Sequence, residues 1–568
     1  MHPGILLFVL LFLPNTSLQS WRDANAPNLH QLMADGSIGL MNARTAETDK
    51  ITTTAGELTI FAGERVDSRT DAQNGVYSAA DDNLEDGLTN AGIDLSGRLP
   101  MPQTPLPFYM PPSPRRFIVD SLSGDLDSLD GEIGKYADLV NKNEGVLMIV
   151  SPNPSGSDYK KEEQLTPVLL YGDGISPGYL SSSSTRTAGL VTNTDIAPTI
   201  AALTGASLPL PPYGDVINAA PSPDDRVNTL LQREAIWVSQ AEMIKYLPYI
   251  AGIIAALILI ALFAARSSVH FGKLAALSGL LPLVLLLSTT PPIFLGILAV
   301  SAVIAFVVLK PVDTAFFAAV SLSTMVAVDL FVFGGRLTAG SMLGYSPIEG
   351  ARYYGIGNEI MGAYIGSLAV ITAVWDKPGN NRNTLLIMWA VAALSLALPT
   401  AGSKAGGLIV CAVTLAAYIS VGAGKKLTDW VTISGMAGAV GAAVVILILL
   451  SHFGPATHVS DTLRMAETGG AHTIIDTIGR KAGMDIHLVY HSVWIWVLAF
   501  TSAGRLWLRS GSVASKVGTA AVIACLLFND TGVVAAAICN LIIWAAEFNG
   551  VSDASVSPPA IPIEAAEV

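Results

Sequence analysis

Apolar and polar positions fall into two patterns along the chain. From Tyr246 onward, apolar stretches lie at about 247–265, 273–289, 292–309, 313–333, 358–375, 384–399, 404–422, 430–451, 488–504, 515–528 and 531–547. A helix needs roughly 20 apolar residues to cross a hydrocarbon core. The pattern therefore predicts a polytopic, all-α membrane domain of about 11 transmembrane helices over 246–548.

Over 21–240 the pattern is short-ranged and implies an α/β domain. Ala24–Ala46 reads as a turn, a helix from about Pro27 to Ala34 and a strand. Gly145–Pro152 and Thr166–Tyr171 read as buried strands between polar loops. Thr192–Gly205 reads as a helix capped by Thr194 or Asp195 and ended by Gly205, which makes Asp195 a cap rather than a ligand. Strands alternating with helices imply a parallel sheet. Pro100–Pro114 reads as an irregular connector. Within residues 1–20, the run Ile5–Leu13 has two readings, a signal-peptide core without a basic flank or a first buried strand.

Composition sharpens this division. The chain has 568 residues, is 51% hydrophobic and carries a net charge of −13, with a mean hydropathy of +0.51. Most of the negative charge lies in the first half, which argues against nucleic acid as a partner and leaves the lipid bilayer as the expected one. All three cysteines (Cys411, Cys525 and Cys539) lie in apolar runs, so the polar half has none to pair.

Basic residues orient the helices. Arg266 with Lys273, Lys310, Lys377 with Arg382, Lys425 with Lys426, and Arg505, Arg509 and Lys516 fall in alternate short loops. Placing those loops in the cytoplasm predicts a multi-pass plasma-membrane protein with the α/β domain extracytoplasmic. The tail, 549–568, is then cytoplasmic and disordered.

The same topology puts the loops Gly334–Gly357 and Ser451–Ile486, and the turns Pro399–Lys404 and Asn529–Gly532, on the outer face. Their Arg336, Arg352, Lys404, Arg464, Arg480 and Asp530 are candidate substrate-binding residues, because arginine grips phosphate oxygens bidentately. Glu359 and His491 are candidate catalytic residues. Glu359, Lys404 and Asp530 each abut an apolar run, where an ionisable group is functional by default. The bland reading makes the loop charges solvated anchors. Gly435–Ala443 reads as a helix-packing face. His487 and His491 have metal-ligand spacing but no evident third ligand, so neither a metal nor a cofactor is expected.

Three stretches in the first half resemble the alkaline phosphatase/sulfatase/phosphoglycerate mutase superfamily: Pro27–Gly36, the strand ending at Ser151, and Ser184–Gly205. That resemblance implies an alkaline-phosphatase-like fold with two metal ions and a Ser or Thr nucleophile. The expected ligand positions instead read Pro14-Asn15-Thr16 and Ser151-Pro152-Asn153, and the histidines before Tyr246 are His2 and His30. Thr52, Thr53 and Thr54 lie near the expected nucleophile but lack metals to activate them. A degenerate, non-catalytic domain is expected. In the second half, Arg352–Gly362, Gly402–Leu408 and His491 are similar to O-antigen ligases and related polymerases. Carried over by position, Arg352 meets a lipid pyrophosphate, Lys404 replaces a helix-opening arginine, Arg464 or Arg480 is the loop arginine, and His491 is the base.

The leading functional expectation is a protein of cell-envelope assembly. It would be a metal-independent transferase or ligase using a polyprenyl-linked glycan on the outer face, with the α/β domain as a binding module and other envelope-assembly proteins as partners. A transporter or flippase of an anionic or lipid-linked substrate is the alternative, and a membrane-tethered hydrolase of the phosphatase superfamily the third reading.

Overall fold

The computed structural model describes residues 6–46, 51–66, 83–97, 115–160, 165–209, 212–222, 225–263, 269–350, 352–375, 382–453, 479, 483–508 and 511–550. The expected connector at 100–114, the tail beyond 550, and Arg464 and Arg480 lie outside them. Two compact units emerge: Met1–Glu242 with Ser346–Tyr354, and Met243–Tyr345 with Gly355–Val568.

The first unit is a mixed sheet. Its strands are β1 (Leu7–Phe12), β2 (Ser37–Asn42), β3 (Asp94–Gly97), β4 (Arg116–Ser121), β5 (Val146–Val150), β6 (Leu165–Gly172), β7 (Gly178–Ser181), β8 (Leu190–Thr192) and β9 (Asn218–Pro221). Their order is β3-β4-β1-β5-β6-β2-β7-β9, with β8 paired to β2. The run at Leu7–Phe12 is thus an interior strand, parallel to both β4 and β5. All six residues of β1 are buried because both faces of the sheet are covered. Leu7, Val9 and Leu11 join a core with Trp21, Leu29, Ile133 and Leu230, while Phe8, Leu10 and Phe12 join one with Ile60, Leu84 and Ile200.

One expectation for the sheet fails. The Thr166–Tyr171 strand, β6, runs antiparallel to both neighbours, β5 and β2. A strand buried on both faces is apolar throughout whichever way it runs, so its direction is not written in that pattern.

Helices α1 (Leu18–Asp23), α2 (Pro27–Asp35), α3 (Thr53–Ala62), α4 (Asn83–Asn90), α5 (Leu126–Lys142), α6 (Gly156–Lys160), α7 (Ile196–Thr204) and α8 (Arg226–Ile244) complete this part of the chain. Thr52 caps α3 by accepting from Ala55 N. Gly205 ends α7 with a φ of 74°, a left-handed conformation that glycine adopts without a Cβ penalty. Ile348, from the downstream segment, is buried in the same core as Ile38, Leu40 and Leu190.

The second unit is helical and belongs to a membrane protein. Its helices are α9 (Leu247–Phe263), α10 (Val269–Leu287), α11 (Pro291–Val303), α12 (Pro311–Val332), α13 (Arg336–Gly340), α14 (Asn358–Trp375), α15 (Arg382–Ala397), α16 (Ala405–Gly422), α17 (Trp430–Phe453), α18 (Gly483–His491), α19 (Trp494–Leu508), α20 (Val513–Phe528) and α21 (Gly532–Phe548). Every residue of α21 is buried, so the unit is built around it.

Among the described residues, each of the eleven apolar stretches carries helix, and length separates them. Five helices among the described residues are long and apolar enough to cross a membrane, or six if α18 and α19, bent by 83°, count as one. Gly272–Leu287, Arg382–Ala397, Ser515–Phe528 and Gly532–Phe548 are shorter. At 1.5 Å per residue they fall short of a core about 30 Å thick.

Of the expected packing face, Ala443 is buried with Ala397 and Leu408, but its glycines make no close approach among the described residues. Gly438 and Gly441 of α17 have no neighbour that an added Cβ would meet within 4 Å. Close approach occurs instead at Gly362 and Gly366 of α14, where an added Cβ would collide with the α21 backbone at Ala535 and Cys539.

Candidate functional site

Three helix starts meet in the second unit. Before α14, Ile356 N donates to Gly402 O at 2.9 Å, joining the turn that precedes α16. Asn358 Nδ2 donates to Thr531 Oγ1, tying the first residue of α14 to the residue before α21. A Cβ on Gly406 of α16 would lie 2.5 Å from Asn529 Oδ1. Glycine at 406 is required by this approach, and Gly355 lets the turn before α14 close on the Gly402 backbone. Ser403 is held at a φ of 46°, unusual for a residue with a Cβ.

The expected residues divide here. Glu359 stands in the first turn of α14, half-buried, and folds back so that a Cβ on Gly357 would lie 2.8 Å from its Oε2. The Tyr345 ring closes over the same glycine. Lys404 flanks α16 and is only 6% exposed. Asp530, half-buried, lies in the turn before α21. Glu359, Lys404 and Asp530 thus belong to one set of converging turns. Partial positive charge from three helix N-termini adds to that of Lys404. Two buried amide oxygens in these turns, Asn358 Oδ1 and Asn529 Oδ1, have no hydrogen-bond partner among the described residues. Sequence reading had named the Asn529–Gly532 turn without singling out Asn529 or Thr531, whose significance is a tertiary matter.

Other expected residues lie elsewhere. Arg336 is exposed and lines a cleft of about 490 Å³ with Thr324, Met325, Val328, Asp329, Phe333 and Leu337. Asp329, buried in α12, accepts from Leu337 N at 2.9 Å and Thr338 N at 2.8 Å, which makes it a cap for α13. His491 is exposed, stacks on His487 with ring centroids 4.2 Å apart and bonds its own helix through His487 O. That engagement leaves it without a tie to Glu359 in the hydrogen bonds described. Arg352 belongs to the first unit.

A buried polar cluster that sequence reading missed joins α19, α20 and α21. Arg505 Nε and Nη2 donate to Glu547 at 2.9 and 3.2 Å, Nη1 to Asn540 Oδ1 at 2.8 Å, and Nη2 to Ser515 O at 2.8 Å. Its side chain is 9% exposed and that of Glu547 5%. Arg505 was expected as a cytoplasmic loop charge; it is a helix residue with a buried partner 42 positions downstream.

In the first unit, the carboxyl ends of β1 and β5 carry amides and hydroxyls. Ser151 Oγ donates to Thr16 O and Asn153 O at 3.0 Å, Asn153 Nδ2 to Asn15 Oδ1 at 2.9 Å, and Thr53 Oγ1 to Asn153 Oδ1 at 3.0 Å. Among the described residues, no group of three or more His, Cys, Asp or Glu could hold a metal ion. Asp195 accepts from Ser182 Oγ at 2.7 Å, Ser184 Oγ at 2.6 Å, Thr192 N at 2.8 Å and Asp215 N at 2.9 Å. Burial pushes its carboxyl above the ordinary range, and the hydrogen bonds pull the other way. It completes a capping box with Thr192 ahead of α7.

The chain is thus a membrane protein in which an α/β unit precedes a helical one, with Glu359, Lys404 and Asp530 bordering the α14–α16–α21 starts. No family model, curated protein or solved structure matches it.

Proposed function

We propose that the helical unit is a metal-independent transferase or ligase of cell-envelope assembly, acting on a polyprenyl-linked glycan at the outer face. The convergence of three helix starts around Glu359, Lys404 and Asp530 carries this reading. Lys404 and the helix N-termini neutralise the departing pyrophosphate, and Glu359 removes the acceptor hydroxyl proton. The new bond joins the acceptor oxygen to the sugar carbon as the sugar–phosphate bond breaks. The arrangement has eleven crossings, an extracytoplasmic first unit and a cytoplasmic tail. The first unit resembles the alkaline phosphatase superfamily and serves as a binding module, its ligand positions being taken by Asn15, Ser151 and Asn153.

The unpartnered oxygens of Asn358 and Asn529 favour a second reading, a cation-coupled transporter of an anionic or lipid-linked substrate, because oxygen acceptors beside carboxylates suit a proton or a small cation.

Proteoliposomes supplied with an undecaprenyl-pyrophosphate oligosaccharide and a glycan acceptor separate the two. Glu359→Gln is expected to lower glycan transfer by about 10²-fold or more, with Lys404→Ala weakening donor binding. Full transfer by both variants would overturn the assignment. Pyrophosphate-lipid flux that loses its pH dependence in Glu359→Gln would favour the transporter.

A further inference from the structure

A separate concentration of positive charge surrounds the Tyr353–Tyr354 pair in the first unit. The Arg186 guanidinium lies 3.8 Å from the Tyr354 ring centroid. Arg352 Nη1 donates to Tyr354 O at 3.4 Å, and Arg65 Nη2 to Gly350 O at 3.0 Å. Arg44 follows Asn42, whose Oδ1 accepts from Arg44 N at 3.1 Å and whose Nδ2 donates to Pro347 O at 2.7 Å. The segment Ser346–Tyr354 thereby gathers arginines from three separate stretches of chain. Among the described residues, no carboxylate forms an ion pair with Arg44, Arg65 or Arg352. The nearby Asp195 is already engaged by four donors.

Guanidinium groups held near one another repel, and an anion between them relieves that repulsion. The place is also suited to a ligand. Asn42 ends β2, and β7 and β8 run parallel to it. Open α/β sheets bind ligands at the carboxyl ends of their strands. Burial raises the Tyr353 hydroxyl well above its ordinary range, with Arg65 and Arg44 acting against that rise. It stays a neutral donor and makes no hydrogen bond of normal geometry among the described residues.

We propose that Arg44, Arg65, Arg186 and Arg352 form a binding site for a phosphoryl or pyrophosphoryl anion, free or as a lipid headgroup. Guanidinium forks match such oxygens two at a time. The site depends on the first unit alone and stands whether or not the helical unit transfers glycans.

Binding of inorganic pyrophosphate to the full chain in detergent, measured by titration calorimetry, tests it. Saturable binding is expected, weakened at least about tenfold in Arg44→Gln and in Arg352→Gln, with unchanged thermal melting. Arg44 is exposed and its side chain makes no hydrogen bond described, so its replacement leaves the fold intact. Phosphatidylglycerol vesicles supply the second arm. Arginine-dependent vesicle binding displaced by pyrophosphate identifies a headgroup ligand, and pyrophosphate binding without vesicle binding a soluble one. No saturable pyrophosphate binding at millimolar concentration, or binding unchanged when Arg44→Gln and Arg352→Gln are combined, would overturn the proposal.

Discussion

Asp195 and Glu359 show how differently two carboxylates can be read from sequence. Asp195 sits just ahead of an apolar helix, where local spacing suggests a cap, but its side chain makes no cap bond to α7 and instead completes a box with Thr192 one turn earlier. Its burial and four donors do not follow from that spacing, because Ser182, Ser184 and Asp215 reach it through the fold. Burial raises its pKa above 3.8, so the folded chain holds the proton more tightly than the unfolded one. The resulting stabilisation is complete below the unfolded value and is lost as pH rises through the folded value. Asp195→Asn has no such proton to bind. The wild type's melting-temperature advantage over it is therefore expected to be widest near about pH 4 and to narrow toward neutrality; an advantage independent of pH would refute this. Glu359, Lys404 and Asp530 were legible because charge beside an apolar run is conspicuous. His491 was conspicuous too, yet its ring spends its contacts on His487.

Among the elements, the apolar helices and the flanks of β1, β2, β5 and α7 were legible, since each is marked by a local run and its stops. Partnerships between elements were not. Glycine spacing pointed to α17, whereas α14 makes the tight approach to α21. The Arg505–Glu547 pair joins α19 to α21, and Asn540 bridges it to Thr501 and Ser502. Removing one partner strands a buried charge. Arg505→Ala is expected to destabilise the helical unit by about 3–5 kcal/mol, whereas Arg505→Met with Glu547→Leu recovers most of the loss. Thermal unfolding in detergent measures this, and a single variant as stable as the double one would refute it.

For the whole molecule, an apolar half after a polar one defines a membrane protein, but the number of crossings depends on each helix's length and on its neighbours. Short helices such as Gly272–Leu287 reach across a bilayer only with help from flanking residues or local thinning. Cysteine labelling can count the crossings, because Cys411, Cys525 and Cys539 are buried and give a quiet background. With eleven crossings, single cysteines at Lys425 and Gly511 are expected to react from the cytoplasmic side and one at Asp127 from the outer side. Asp127 reacting from the same side as Lys425 would refute that topology.

Sequence by itself determined what neighbouring residues decide: where the chain turns apolar, which runs become helices or strands, and which ionisable groups border the membrane. These follow from side-chain transfer energies and backbone preferences over a few residues, although the run Ile5–Leu13 fitted a signal core as well as the strand it forms. The tertiary structure decided what distant residues decide together. It turned β6 antiparallel, buried Arg505 against Glu547, brought the starts of α14, α16 and α21 to one place, and placed Ser346–Tyr354 among the strands of the first unit. Burial satisfies those polar groups only through partners far away in the chain, and no local pattern records such a pairing.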